Sequence, residues 1–132
     1  MSKIQLGARI VLGLIYFVFG SMGLAIVFGL MKMPQNPMPE AAETFMKGIM
    51  ATPYFFPMLK MTEVACGLLL LTGRAAPLGL VIIAPVTLNI FLFHAFLTPG
   101  SGNLVLPGVM VLAQILAMSQ YWHVYRPLFT KK

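Results

Sequence analysis

Lys60 and Glu63 stand three residues apart in a run, Pro53 to Leu71, that carries no other charge. On a helix this spacing puts both side chains on one face, about 60° apart. Gly67 continues that face and lets a neighbouring helix come close. In apolar surroundings a carboxyl and an ammonium so placed exist either as an ion pair or, after proton transfer, as two neutral groups. Either form can hydrogen-bond a ligand or pass a proton, and ionisable groups within an apolar span mark a functional site by default.

Other polar residues fall at related depths. Counted from the outer ends of their apolar runs, Glu63 lies ten residues below Pro53, Asn89 nine below Thr98 and Gln114 ten below Leu104. Each is thus about 15 Å deep. Ser21 in the first run lies near the level of Lys60. His94 is higher, about 6 Å from its outer end, and about 140° around the helix from Asn89. Both face inward only if the interior surface is wide or the helix kinks at Pro85. Lys60, Glu63, Asn89, His94, Gln114 and Ser21 are therefore the candidate ligand-binding residues. The bland alternative is that these groups bond one another and simply hold the helices together. Gly13, Gly20 and Gly23, with Tyr16, line one face of the first run and read as a packing seam. The sequence assigns no catalytic residue and leaves enzymatic activity open.

Cys66 is the one cysteine, so no internal disulfide and no CxxC pair exists. Clustered Cys and His ligands are lacking too, and no metal site is expected. The methionines between Met31 and Met61 are soft enough for Cu(I) but read as apolar filler.

The elements that must carry these residues follow from composition. The 132-residue chain is 59% hydrophobic and 9% charged, against about 45–50% and about 25% in a soluble domain. Too few polar atoms are present to cover a water-soluble surface, so lipid must do so. Four runs approach the roughly 20 apolar residues that a span needs: 10–31, 53–71, 75–97 and 104–121. The first exceeds a signal-peptide core of about 7–15 residues and reads as a retained helix. The expected fold is all-α: one domain over 1–132, a transmembrane four-helix bundle.

The punctuation agrees. Thr52-Pro53 is expected to cap the second span, Gly73 to end it and Pro77 to open the third. The turn before the fourth span runs from Thr98 to Asn103, with Pro107 in that span's first turn. Between the first two spans, Pro34, Pro37 and Pro39 break the chain. Ala42, Phe45, Met46, Ile49 and Met50 then recur at helical spacing, with Glu40, Glu43 and Lys47 opposite. A short amphipathic helix on the outer surface is expected, either a lid over the bundle or a structured loop without special role.

The net charge of +6 is distributed as a membrane protein's would be, and no nucleic acid is expected as partner. Lys3, Arg9, Arg74, Arg126, Lys131 and Lys132 share one end, while Lys32 and Lys47 at the other are balanced by Glu40 and Glu43. The positive-inside rule puts both termini in the cytoplasm of a multi-pass inner (plasma) membrane protein. Tyr121, Trp122 and Tyr125 fit an inner aromatic belt, and Tyr54, Phe55 and Phe56 an outer one.

The run Glu63-Val-Ala-Cys66-Gly67-Leu-Leu-Leu-Leu-Thr-Gly73-Arg74-Ala-Ala-Pro-Leu-Gly79 resembles the DoxX family of small four-helix membrane proteins. Arg9-Ile-Val-Leu-Gly13-Leu, Phe19-Gly20 and His94 fit the same resemblance, which extends over nearly the whole chain through degenerate motifs. By position it carries over only Glu63 and His94. It implies association with a membrane redox system, since members include a subunit of a thiosulfate:quinone oxidoreductase and a complex protecting against oxidative stress. Distant relatives of similar fold serve as a chaperone for receptor assembly or in maturation of a dehydrogenase. The absence of a cysteine pair argues against thiol–disulfide chemistry here. Shared architecture does not fix function. Two readings follow: an intramembrane site for a quinone or lipid-like ligand, or a non-catalytic partner that assembles or anchors another membrane complex, such as an oxidoreductase subunit or a second copy of itself.

Overall fold

The computed structural model describes residues 2–33, 37–98 and 101–130. Pro34, Pro99, Gly100, Lys131 and Lys132, which entered the sequence reading, lie outside them. The described chain forms α1 (Lys3–Val27), α2 (Glu40–Ala51), α3 (Phe55–Thr72), α4 (Ala76–Leu92), α5 (Val105–Ser119) and α6 (Trp122–Tyr125). A π-helical turn, Phe93–Leu97, extends α4, and a 3-10 turn, Ser101–Leu104, leads into α5. The all-α expectation holds. Four helices are long and apolar enough to cross a membrane: α1, α3, α4 with its π turn, and α5 with the turn before it.

The helices close in sequence order, α1 against α3 and α5, and α4 against α3 and α5. Glycines set the tightest approach. A Cβ on Gly67 would lie 2.7 Å from the backbone nitrogen of Phe17 and 2.9 Å from the Gly13 carbonyl oxygen. One on Gly20 would lie 2.9 Å from the Val64 nitrogen. The expected seam is therefore the α1–α3 interface, and Gly67 answers it from the other side. α4 meets α3 through Gly79, which faces Leu69 and Cys66. Around these contacts Leu12, Tyr16, Leu70, Leu80, Ile83 and Ala117 form a fully enclosed core.

The boundaries repay comparison with the sequence. Gly73 ends α3 in the left-handed conformation (φ 79°), and Pro77 sits in the first turn of α4, as the residue types require. α1 begins at Lys3, seven residues before the uncharged run, because Ser2 and Gln5 form a capping box that starts the helix in the polar segment. It stops at Val27 rather than Met31, and the chain turns through Gly29 at φ 77°. Thr52 does not cap α3. It terminates α2, its hydroxyl donating to the Gly48 carbonyl at 3.1 Å, and α3 starts after Tyr54 without a side-chain cap. Two aromatic residues of the expected belts are also turned inward. Phe56 is buried, and Tyr125 is buried with its hydroxyl donating to the Pro77 carbonyl at 2.6 Å, whereas Trp122 and Tyr54 are exposed.

Candidate functional site: a cavity under the amphipathic helix

Above Gly79 α4 carries no further glycine. Pro85 interrupts the α4 hydrogen-bond ladder, and the π turn widens the helix at Phe93–Leu97. A cavity of about 670 Å³ occupies the space that opens. This is within the range of small-molecule sites, roughly 300–1,000 Å³. α4 faces it with two adjacent stripes, Pro85, Asn89 and Phe93 beside Val86, Ile90 and His94. The wide inner surface is what lets Asn89 and His94 line one cavity despite their angular separation.

Phe45, Met46 and Ile49 of α2 line the same cavity. α2 lays its apolar face over the bundle, with Ala42 fully buried. Phe45 meets Phe93 ring to ring, centroids 5.4 Å apart and tilted by 56°. The polar face of α2 carries an exposed Lys47–Glu43 ion pair at 3.2 Å. The amphipathic segment is thus the roof of the cavity, and the lid arrangement, not the idle loop, is what the chain adopts.

The α3 wall carries the charges. Glu63 is 2% exposed. Lys60 Nζ stands 3.4 Å from Glu63 Oε1 and 3.3 Å from Oε2. It also lies 5.3 Å from the centroid of the Phe56 ring. The Lys60 nitrogen is thus shared between both oxygens of Glu63 and seated over an aromatic face. The place of Lys60 is made by α1: a Cβ on Gly23 would overlap its Cγ, Cδ and Cε, well inside van der Waals contact. The alkyl stem therefore runs in the groove that Gly23 leaves, and Gly20 seats the Cβ of Glu63, 3.0 Å from where its own Cβ would be. The seam positions the pair as well as packing the helices.

His94 is tied back. Its Nδ1 stands 2.8 Å from the Ile90 carbonyl oxygen. A carbonyl only accepts, so Nδ1 carries the proton, and Nε2 of the neutral ring is left as an acceptor. The imidazole packs edge-on against Phe93, 5.3 Å between centroids.

The structure brings together four of the six candidate residues: Lys60, Glu63, Asn89 and His94 line the cavity. Ser21 is not among the cavity residues. It lies on the outward face of α1, exposed alongside Val18 and Met22. Depth counting found its level but not its azimuth. Gln114 is buried but serves a separate network. Its Nε2 donates to the Leu80 carbonyl at 2.8 Å and its Oε1 accepts from Thr87 at 2.9 Å. With the Thr87 proton given to Gln114, the Tyr16 hydroxyl donates to Thr87. Tyr16, Thr87 and Gln114 thus form a closed chain linking α1, α4 and α5, and the structural alternative describes Gln114.

Sequence reasoning missed Thr87 altogether and used Tyr16 only as part of the seam. Tyr16 lines the cavity as well, but its hydroxyl is engaged by Thr87. The available signal was that Thr87 lies seven residues from Leu80 and four from Ile83, on the inward stripe of α4.

With this geometry in hand, comparison of the chain with protein-family models, with curated proteins and with solved structures gives no match.

Proposed function

We propose that this is a DoxX-like multi-pass membrane protein, accessory to a membrane redox or quinone-linked system, whose cavity binds a flat lipid-soluble ring such as a quinone. The observation that carries the reading is the cavity itself. Phe19, Phe45, Phe55, Phe56 and Phe93 and aliphatic side chains make most of its wall, and Lys60, Glu63, Asn89 and His94 supply a few convergent polar groups. Such a wall accommodates an apolar ring, and the polar groups hydrogen-bond oxygens on its edge. A bundle serving only as an assembly partner needs no hollow of this kind.

The end carrying Lys3, Arg9, Arg74 and Arg126 is read as cytoplasmic, which puts the cavity and its α2 roof in the outer half of the bilayer. Strong activity of a periplasm-dependent reporter fused to the C-terminus would reverse that orientation.

The binding test uses the full chain in detergent with a benzoquinone bearing a short alkyl tail. Saturable binding and a rise in melting temperature are expected. Val86→Phe, which fills the cavity, should abolish both while the protein remains helical and monodisperse. Quinone binding that survives Val86→Phe undiminished would place the ligand elsewhere and overturn the reading.

A further inference from the structure

The hydrogen-bonding groups that face the cavity are unequally committed. Lys60, the strongest donor, is directed at both oxygens of Glu63 and at the Phe56 ring. The Tyr16 hydroxyl is turned to Thr87. On the acceptor side, each Glu63 oxygen keeps lone-pair capacity beyond its long contact to Lys60, and in the neutral ring, whose one proton Nδ1 holds, Nε2 of His94 is an acceptor with no partner among the described residues. Asn89, for which no hydrogen bond is seen among the described residues, can serve either way.

We infer that the cavity selects the reduced, hydroxyl-bearing form of a ring ligand over its oxidised, carbonyl-only form. This deepens the ring-site reading above and rests on it. An oxidised quinone presents only acceptor oxygens: Asn89 can donate to one of them, but those set against Glu63 and the imidazole lone pair meet acceptors. Acceptor facing acceptor leaves both without a donor, which weakens binding. The reduced ring brings an O–H to each place, one donating to Glu63 and one to Nε2 of His94. The Asn89 amide can donate in turn to a hydroxyl oxygen.

The layout fits a ligand with oxygens at opposite ends. Asn89 and His94 are five residues apart on α4, about 7.5 Å along the helix axis, and both line the cavity into which Glu63 faces from α3. A six-membered ring with para oxygens would set one oxygen toward Glu63 and the other toward His94. Its flat faces are met by the aromatic wall. No redox step is assigned to the protein: the selection is one of binding, and the electrons would be exchanged by whatever partner delivers or takes the ligand.

The test compares three ligands with the same short alkyl tail on the full chain in detergent, under argon: a hydroquinone, the corresponding benzoquinone and the hydroquinone dimethyl ether. Binding is read by titration calorimetry. The hydroquinone should bind about tenfold or more tightly than either of the others. The ether keeps the reduced ring but lacks the O–H, so it isolates donation from ring electronics without any change to the protein. In His94→Phe, which keeps a ring against Phe93, and in Glu63→Gln, which turns an acceptor site partly into a donor, the preference should fall toward unity.

Equal affinities, or tighter binding of the quinone or the ether, would overturn the selectivity while leaving the ring site standing. A preference undiminished in both variants would also overturn it. If none of the three ligands binds, the ring-site reading fails and the inference falls with it.

Discussion

α3 has two neighbours that treat it differently. Against α1 it is in contact along most of its length, with Gly13, Gly20 and Gly23 on one side and Gly67 on the other. Against α4 it is close only near the connecting turn, at Gly79, and farther along the cavity separates them. The two neighbours are close in mean hydropathy, 2.4 for α1 and 2.2 for α4 with its π turn, so hydrophobicity does not make the difference. In lipid, association depends on close van der Waals approach of backbones, which small residues permit. Where glycines recur, the helices stay together. Where α4 carries Pro85, Asn89 and a π turn instead, it departs, and the polar groups there face a hollow. The comparison also separates two kinds of buried polar group: Gln114 is spent within the fold, whereas Asn89 and His94 keep capacity for something else.

The strongest test of the closed interface is Gly67→Leu. Even a Cβ at this position would press on the Phe17 and Gly13 backbone, which cannot rotate away as a side chain can. Overpacking ordinarily costs about 1–3 kcal/mol, and more is expected against backbone. The variant should fail to give a folded, monodisperse species in detergent, or unfold far earlier in a denaturant titration. A stability equal to wild type would mean that α1 and α3 are not held as described.

Next in size is the Lys60–Glu63 pair. Breaking a buried pair from one side typically costs about 3–5 kcal/mol when both groups are fully enclosed. Here the side chain of Glu63 is 3% exposed and that of Lys60 is 18% exposed. Lys60→Ala, which strands the better buried carboxylate, should therefore be the more harmful single change. Glu63→Ala leaves Lys60 with the Phe56 ring and a path toward the outer end, and should cost less. The double change Lys60→Met with Glu63→Leu should be milder than the sum of the singles, measured as a double-mutant cycle in detergent unfolding. Strict additivity would show that the two side chains are not one electrostatic unit.

The smallest effect discriminates the two polar environments. Gln114→Leu removes the amide that donates to the Leu80 carbonyl and accepts from Thr87; Thr87 keeps the Ile83 carbonyl as acceptor at 3.3 Å, so the expected loss is about 1 kcal/mol. Asn89→Leu removes an amide that holds nothing in the fold, and stability should stay within about 0.5 kcal/mol of wild type while ligand affinity falls. Comparable destabilisation by both would erase the distinction between a structural network and a binding surface.

How much of this was legible beforehand depends on which coordinate of a residue is asked for. Depth along a helix is a linear count, and it put Lys60, Glu63 and Asn89 at related levels from residue numbers alone, but it put Gln114 and Ser21 there too, and neither lines the cavity. Azimuth is only partly readable. Where a face is marked by a strong pattern, as by Gly13, Gly20 and Gly23 or by the α2 apolar stripe, it came out correctly. Ser21 carries no such mark. An apolar span reads as apolar on every side when its outward face meets lipid, so the contrast that orients a helix in a soluble protein is missing. The same lack of contrast hid the inward turn of Phe56 and Tyr125.

The sequence by itself determined the class and the helices, because continuous apolar runs of roughly 20 residues fit spanning helices and not the short alternating strands of a barrel. It also determined the Lys60–Glu63 pairing, since three residues of helix put the two on one face whatever surrounds them. Only the tertiary structure decided that Gln114 closes a network with Tyr16 and Thr87, while Asn89 and His94 share a cavity roofed by α2. Those outcomes depend on which helix faces which and on where Pro85 and the π turn let α4 swing away. Such distances between segments arise from packing, and no local spacing encodes them.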